Sequence, residues 1–183
     1  MNGNQEFDFL HGQWLVRNRR RRRCLEGSDD WDEFDSLHKC WPLLDGFGNV
    51  DEYLRDDRPS GAWLHFFDPQ RRRWSMHRVS PRRGMQPPVE GVFRNGVGTF
   101  YGETRFDGRP ILVRYLWGET QTESPRWEQA FSDDGKTWET RWTMQFTRLD
   151  WPLDAGLRFE TRSAEGVIAV VSARMYSIMY YEM

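Results

Sequence analysis

Residues 126–148 of the chain read RWEQAFSDDGKTWETRWTMQFTR. The Asp133-Asp134-Gly135 step lies between two segments in which apolar and polar residues alternate, and this is the strongest short-range signal of a β-hairpin. Side chains two positions apart on a strand point to the same face. We therefore expect one face to be shared by Trp127, Gln129 and Phe131 on the first strand, and one by Trp138, Trp142, Met144 and Phe146 on the second.

More short strands precede this hairpin. Segments rich in aromatic and β-branched residues alternate with turn sequences such as Asn95-Gly96 and Asp107-Gly108, as in antiparallel sheets. The predicted strands are residues 13–25, 31–41, 49–56, 62–67, 73–80, 89–94, 98–106 and 111–117. Strands spaced by roughly 8–12 residues and joined by hairpins favour an all-β fold, an antiparallel up-and-down barrel of about ten strands. A short helix at residues 5–11, ended by Gly12, is expected before the first strand.

Composition limits the classes of partner. The 183 residues carry a formal net charge of −2, which suggests neither a nucleic acid nor a membrane as partner. The arginines of residues 19–23 form either a phosphate-binding patch or the solvated end of a strand. We favour the strand end, because the acidic segment that follows balances its charge. We see no signal peptide and no apolar run of about 20 residues, so a cytoplasmic protein with Cys24 and Cys40 reduced is expected.

The alternating pattern of apolar and polar residues ends near residue 150 and divides the chain into two segments. Residues 1–149 are predicted to form the barrel domain. Residues 150–183 begin with Asp150-Trp151-Pro152, which breaks the last strand, and continue with an apolar pattern that fits neither helix nor strand. This tail is expected to be a strand, a helix or a dimerising segment.

The first strand carries a recognisable motif. Gly12-Gln13-Trp14 follows the predicted helix and resembles the G-x-W signature of lipocalin-type (calycin) barrels. In those barrels the tryptophan closes the base, and a basic residue near the last strand covers its ring. The resemblance therefore implies a cation–π contact of Trp14 with Arg148 or Arg141.

A wider resemblance covers about residues 7–148. Five segments are similar to uncharacterised bacterial lipocalin-like proteins, relatives of the nitrobindin-like and heme-binding-like ten-stranded barrels: FDFLHGQWLVRNRR (7–20), LLDGFGNVDEY (43–53), FFDP (66–69), GVFRNGVGTFYG (91–102) and RWEQAFSDDGKTWETRW (126–142). Nitrobindin-like barrels hold heme iron through a histidine late in the chain. No histidine follows His77 here, so we expect neither heme nor another cofactor.

The candidate site residues lie among aromatics. Glu103, Arg114 and Glu128 fall on three consecutive predicted strands at positions compatible with one face. They form either a structural ion network or a site in which the arginine meets an anionic or carbonyl ligand inside the barrel, with a glutamate as acceptor or general base. The predicted ligand-binding set adds further polar and aromatic wall residues: Asn18, Tyr53, Trp74, Tyr101, Trp127 and Trp142.

No catalytic or metal-binding motif accompanies this set. Ser75 and Ser132 have no evident base beside them. His65 and His77 form either a cross-strand metal or acid–base pair, or two partly exposed histidines; we favour the latter. No catalytic residue and no metal ligand is therefore assigned.

The sequence favours a small-molecule-binding barrel, in which a small apolar or aromatic ligand has its polar end fixed by Arg114 and Glu128. Two alternatives stay open. One is an isomerase- or cyclase-like enzyme that uses a buried carboxylate or His77. The other is a packed barrel without a cavity, a homodimeric interaction module whose tail supplies the interface.

Overall fold

Ten antiparallel strands close into a barrel in the computed structural model of the chain, which describes residues 3–150, 157–158 and 172–173. The strands are β1 Gly12–Arg21, β2 Trp31–Leu43, β3 Gly48–Arg55, β4 Arg58–Asp68, β5 Arg73–Ser80, β7 Val89–Arg94, β8 Val97–Phe106, β9 Arg109–Gly118, β10 Arg126–Ser132 and β11 Glu139–Arg148. A two-residue strand, β6 Gly84–Met85, pairs only with the end of β5. β1 ends at Arg21, earlier than predicted, because Leu25 and Gly27 take positive φ angles and turn the chain.

The order of the strands is that of an up-and-down barrel. Each of the ten pairs with the next along the chain, and β11 pairs with β1 to close the ring, with Trp14 opposite Arg148. The predicted fold class is thus confirmed. The second strand of the hairpin at residues 126–148 is the one that closes the ring against β1.

The described part of the tail is small. The chain divides into two units between residues 149 and 150. In the second unit, β12 Leu157–Arg158 pairs with β13 Ser172–Ala173. The predicted roles of residues 150–183, including dimerisation, otherwise fall outside the described residues. No helix in the described part of the chain is long and apolar enough to cross a membrane.

One end of the barrel is filled by apolar side chains. The predicted helix is present as two short 3-10 turns, Gly3–Gln5 and Asp8–Leu10. Phe7 and Leu10 beside them are fully buried, and Phe7 lies 4.8 Å edge-on from Trp74. The indole Nε1 of Trp14 donates to the Leu10 carbonyl at 2.7 Å, which fixes these turns over the end of the barrel.

The G-x-W motif acts as its resemblance implies. The guanidinium of Arg148 lies 4.0 Å from the centre of the Trp14 ring, so the cation–π contact is made by Arg148 and not by Arg141. Gly12 has a φ of +120°, and a Cβ there would lie 2.8 Å from Nη1 of Arg148. The glycine is therefore needed both for its backbone angle and for the approach of the arginine.

The arginine-rich end of β1 is balanced across the sheet. Arg17 and Arg19 lie 3.3 and 3.0 Å from the Glu33 carboxylate, and Arg20 lies 3.2 Å from Asp32. These partners sit on β2, whose register places them opposite the arginines. The prediction that the acidic segment neutralises this run is confirmed.

Candidate ligand-binding site

The other end of the barrel contains a cavity of about 710 Å³. Its inner wall is made of polar and aromatic side chains: Asn18, Phe34, Ser36, His38, Tyr53, Trp63 and Trp142. Toward the rim the lining includes the turn after β3 and the segment after β5, with the exposed residues Asp56, Pro59 and Pro81. The prediction of a barrel whose core surface also lines a pocket is therefore confirmed for this end.

The cavity is strongly cationic. Seven arginines and one aspartate, Asp56, line it; the arginines are Arg20, Arg55, Arg58, Arg78, Arg82, Arg83 and Arg141. The whole chain has a net charge of −2, so this positive charge is a local property of the cavity. A concave surface lined by one sign of charge attracts ions of the opposite sign.

Of the partly buried arginines in this set, Arg78 and Arg141 have no acidic counterpart among the described residues. Arg78 donates to the Tyr53 hydroxyl at 3.2 Å, and Arg141 to the Gln129 side chain at 3.4 Å. Neither lies within ion-pair distance of a carboxylate among the described residues, and the Nε atom of each is buried without a hydrogen-bond partner there. By contrast, Arg20 is paired with Asp32 and Arg55 with Asp56.

The cations of the cavity gather around Trp142, the neighbour of Arg141, because Arg20 and Arg78 lie 5.8 and 5.1 Å from the centre of its ring. Burial lowers the pKa of Arg141, and the charges of Arg20 and Arg78 lower it further, against an opposing effect of the Cys24 side chain. Arg78 also lies over the rings of Trp142 and Trp63, at 5.1 and 5.7 Å. Cations stacked on aromatic faces beside a cavity are held in place without being neutralised.

A β-bulge directs Arg141 into the barrel. The register of β10 and β11 shifts between Gln129 and Ala130, so that Gln129 pairs with Trp142 and Ala130 with Thr140. Arg141 is the extra residue, and it lines the cavity beside Trp142. Bulges commonly redirect a side chain in this way. Strict alternation with Trp142 would have placed Arg141 outside.

The bulge also changes the predicted faces of the hairpin. Trp127, Gln129 and Phe131 are buried, as are Trp142, Met144 and Phe146. Trp138, expected on the same face as the latter three, precedes β11 and contacts Tyr101 and Arg114 on the outside. The prediction for Trp138 is wrong because it assumed that every second residue from Trp138 to Phe146 faces the same side, and the extra residue at the bulge breaks this rule.

A buried polar network forms part of the inner wall. Trp142 Nε1 donates to Asn18 Oδ1 at 2.9 Å, and Asn18 Nδ2 donates to Ser36 Oγ at 2.8 Å. Ser36 Oγ lies 3.1 Å from His38 Nε2, and His38 Nδ1 lies 2.9 Å from the Asp51 carboxylate. When His38 Nδ1–H donates to the Asp51 carboxylate, Nε2 is left to accept a hydrogen bond from the Ser36 hydroxyl.

The nine sequence-predicted site residues fall into three groups. Asn18, Tyr53 and Trp142 line the cavity. Trp74 and Trp127 point inward but are packed in the core, where Trp127 lies 5.4 and 5.5 Å from the rings of Trp63 and Trp142. The remaining four, Tyr101, Glu103, Arg114 and Glu128, lie on the outer face of β8, β9 and β10.

The outer group shares one face, as predicted, but not the interior face. Arg114 and Glu128 form an ion pair of 3.7 Å, with about a fifth of each side chain exposed. Val113 and Tyr115, the neighbours of Arg114 on β9, are the buried residues. The sequence prediction therefore exchanged the interior and exterior faces of these strands. Arg114 and Glu128 lie outside and cannot hold the polar end of a ligand in the cavity.

His65 and His77 do not lie directly opposite each other on the paired strands β4 and β5. His65 lies opposite Met76, and His77 opposite Leu64. His65 is fully buried, with its ring stacked 4.5 Å from Phe7, so the prediction of partial exposure is wrong for it. Among the described residues, no group of three or more His, Cys, Asp or Glu side chains is arranged to hold a metal ion.

The residues that matter most in the cavity were not identified from the sequence. Ser36 and His38 alternate on one strand, and Arg78 follows Trp74 and Met76 at the same two-residue spacing, so their common faces were readable. Asp51 shares its face with Tyr53. Arg141 carried no such signal, because its position depends on the bulge.

Comparison of the chain with models of known protein families and with curated proteins gives no match. The closed ten-stranded antiparallel barrel is compatible with the lipocalin-like fold that the sequence resembles.

Proposed function

We propose that the barrel binds a small anionic molecule with an aromatic or apolar body in its open-ended cavity. The observation that carries the proposal is the state of Arg78 and Arg141, two partly buried guanidinium groups, each with a buried Nε, that have no carboxylate partner among the described residues. A buried charge is costly unless an opposite charge compensates it. A carboxylate, sulfonate or phosphate in the cavity would supply that compensation.

The remaining lining suits the rest of such a ligand. Trp63 and Trp142 offer aromatic surface next to Arg78, and Phe34 adds an apolar ring. The arginines at the rim would attract an anion before it enters. The proposal keeps the aromatic body that the sequence suggested and replaces Arg114 and Glu128 with Arg78 and Arg141 at its polar end.

The test compares two dyes with the same ring system. 1-Anilinonaphthalene-8-sulfonate is anionic, and N-phenyl-1-naphthylamine is its neutral counterpart. We expect the sulfonate to bind at least about tenfold more tightly, because one charge-assisted hydrogen bond contributes about 1.5–3 kcal/mol. Its fluorescence titration should weaken when salt is raised from 50 to 500 mM.

Arg78→Met and Arg141→Met should each lower the affinity for the sulfonate at least about tenfold. Arg114→Met is the matched control, because its guanidinium lies on the outer face, and it should bind the dye as wild type does. Circular dichroism and urea unfolding show which variants remain folded. Equal affinity for both dyes, or unchanged binding in both cavity variants, would overturn the proposal.

A further inference from the structure

We propose that Ser36 is a nucleophile, with His38 as its general base and Asp51 as the residue that positions His38, and that the cavity hydrolyses small esters bearing an anionic group. The reaction itself rests on the Ser36–His38–Asp51 geometry. The preference for an anionic substrate rests on the function proposed above.

The three side chains have the mutual geometry of an acyl-transfer triad. Ser36 Oγ is 3.1 Å from His38 Nε2, and the two carboxylate oxygens of Asp51 are 3.0 and 2.9 Å from His38 Nδ1. A nucleophile, a base and a group that orients the base are recognised by such distances, whatever the fold or the order in the chain. Here the order is serine, histidine, aspartate.

The network around the triad fixes the direction of its hydrogen bonds. Asn18 Nδ2 donates to Ser36 Oγ and to the Val16 carbonyl, while its Oδ1 accepts from Trp142. Asn18 occupies one lone pair of Ser36 Oγ, and with the His38 ring proton on Nδ1, facing Asp51, the Ser36 hydroxyl is the group that can donate to Nε2. The ring of His38 is also held against Tyr53, at 5.5 Å between centroids. With its proton on Nδ1 facing Asp51, His38 accepts from Ser36 through Nε2.

The triad is accessible from one side only. All three side chains are buried, but Ser36 and His38 line the cavity, whereas Asp51 does not. A substrate in the cavity would therefore meet the serine hydroxyl first. A carboxylate hidden from water behind the histidine is the arrangement that keeps the imidazole oriented.

The chemical steps balance with water as the second reactant. Ser36 Oγ forms a bond to the ester carbonyl carbon, and its proton passes to His38 Nε2. The bond from that carbon to the ester oxygen then breaks, and the leaving alkoxide takes the proton from His38. In the second half, water gives a proton to His38 Nε2 and its oxygen bonds to the acyl carbon. The bond from that carbon to Ser36 Oγ then breaks, His38 returns the proton to Oγ, and the acid leaves.

The first experiment is covalent labelling with diisopropyl fluorophosphate, read by intact mass and peptide mapping. We expect one adduct, on Ser36, that is absent from Ser36→Ala. Ser75→Ala is the matched control, because Ser75 has a carbonyl and no histidine as its hydrogen-bond partner, and it should be labelled as wild type is. A folded wild-type protein that takes up no label on Ser36 would overturn the proposal.

The roles of the other two residues are read from rates. His38→Gln should lower the labelling rate at least about a hundredfold, and Asp51→Asn at least about tenfold, in variants that circular dichroism and urea unfolding show to be folded. Should these buried substitutions prevent folding, Ser36→Cys provides the second route. Its thiol should react with iodoacetamide faster than the native cysteines, which are both buried. The mechanism would be contradicted if Ser36 were labelled at the wild-type rate in folded His38→Gln. It would also be contradicted if folded Ser36→Cys did not react with iodoacetamide at its new thiol.

Hydrolysis of two p-nitrophenyl esters separates this inference from the binding proposal. Mono-p-nitrophenyl succinate carries a carboxylate, and p-nitrophenyl butyrate is its neutral counterpart. We expect the succinate to be hydrolysed at least about tenfold faster at low concentration, with the difference removed in Arg78→Met. Equal rates for the two esters that are lost in Ser36→Ala would support Ser36 as the nucleophile and refute recognition of the anionic group. Binding of the sulfonate dye without any reaction at Ser36 would support the binding proposal and refute the nucleophile.

Discussion

The guanidinium of Arg148, on the last barrel strand, lies 4.0 Å above the ring of Trp14, on the first. Its two terminal nitrogens donate to the carbonyls of His11 and Phe9 at 2.8 and 2.9 Å. One side chain therefore joins both closing strands to the turns that fill the end of the barrel.

Removing this side chain should destabilise the barrel substantially. We expect Arg148→Met to lower the free energy of unfolding by about 2–4 kcal/mol, from the lost cation–π contact and two charged hydrogen bonds. Urea unfolding followed by tryptophan fluorescence measures the change. Arg126→Met is the control, since Arg126 is half exposed and 3.9 Å from its partner, and it should lose less than about 1 kcal/mol. Equal losses in the two variants would contradict the assignment.

His65 should make stability depend on pH. Burial, and secondarily the charge of His77, lowers the pKa of His65 to about 3, whereas the unfolded chain has the ordinary value of about 6.5. Between these values the unfolded state binds a proton that the folded state does not, so stability falls as pH decreases below about 6.5. The contribution is complete above that pH.

The expected slope is at most about 1.4 kcal/mol per pH unit, or about 2 kcal/mol between pH 6.5 and 5. Unfolding free energies of the wild type and His65→Gln at pH 7.5 and 5.0 test this. The variant should show the smaller change, and the comparison subtracts the contribution of His11, whose pKa burial also lowers. Parallel pH dependence in the two proteins would show that His65 does not carry the effect.

Both cysteines should be unreactive in the folded protein. Burial raises the pKa of Cys40 far above its ordinary value, and the charge of Asp51 adds to this; burial also raises the pKa of Cys24, against the opposing effect of Arg141. Only the thiolate is nucleophilic. Iodoacetamide at pH 8 should therefore label neither cysteine in buffer and both in urea, as read by mass. Labelling at the rate of a free thiol without urea would refute this.

The outer ion pair should matter little for binding. We expect Glu128→Gln to leave the affinity for 1-anilinonaphthalene-8-sulfonate unchanged, because Glu128 lies on the outer face of β10 with its partner Arg114. The free energy of unfolding should fall by less than about 1 kcal/mol. The same titration and urea curves that serve for Arg78→Met provide the measurement. A tenfold loss of affinity would show that the outer face takes part in recognition.

The sequence was a good guide to the barrel because its signals are local. Asp134-Gly135 specifies a turn, and Gly12 followed by Trp14 specifies a backbone angle and a buried ring within three residues. These features are set by neighbouring residues and do not depend on how distant strands pair. The order of the strands then followed from the short hairpin connections.

The site was harder to predict because it depends on phase and on long-range pairing. Each strand alternates between two faces, and a shift of one position exchanges the interior for the exterior. That is the error made for Arg114. Arg141 enters the cavity only through the bulge, and Asp51 reaches His38 only because β2 and β3 pair as they do. None of these relationships is encoded within a short window of sequence.

The closure of the barrel by its first and last strands also sets the order in which the cavity can be completed. Asn18 and Trp142, which bond to each other in its wall, are 124 positions apart, and Arg141 is beside the latter. During synthesis on the ribosome, all earlier strands would be complete before Arg141 and Trp142 of β11 are added to the chain. Until then the edge of β1 stays open to pairing with other chains. Every premature stop before β11 would therefore yield both a cavity without its anchoring cation and a sheet prone to aggregate.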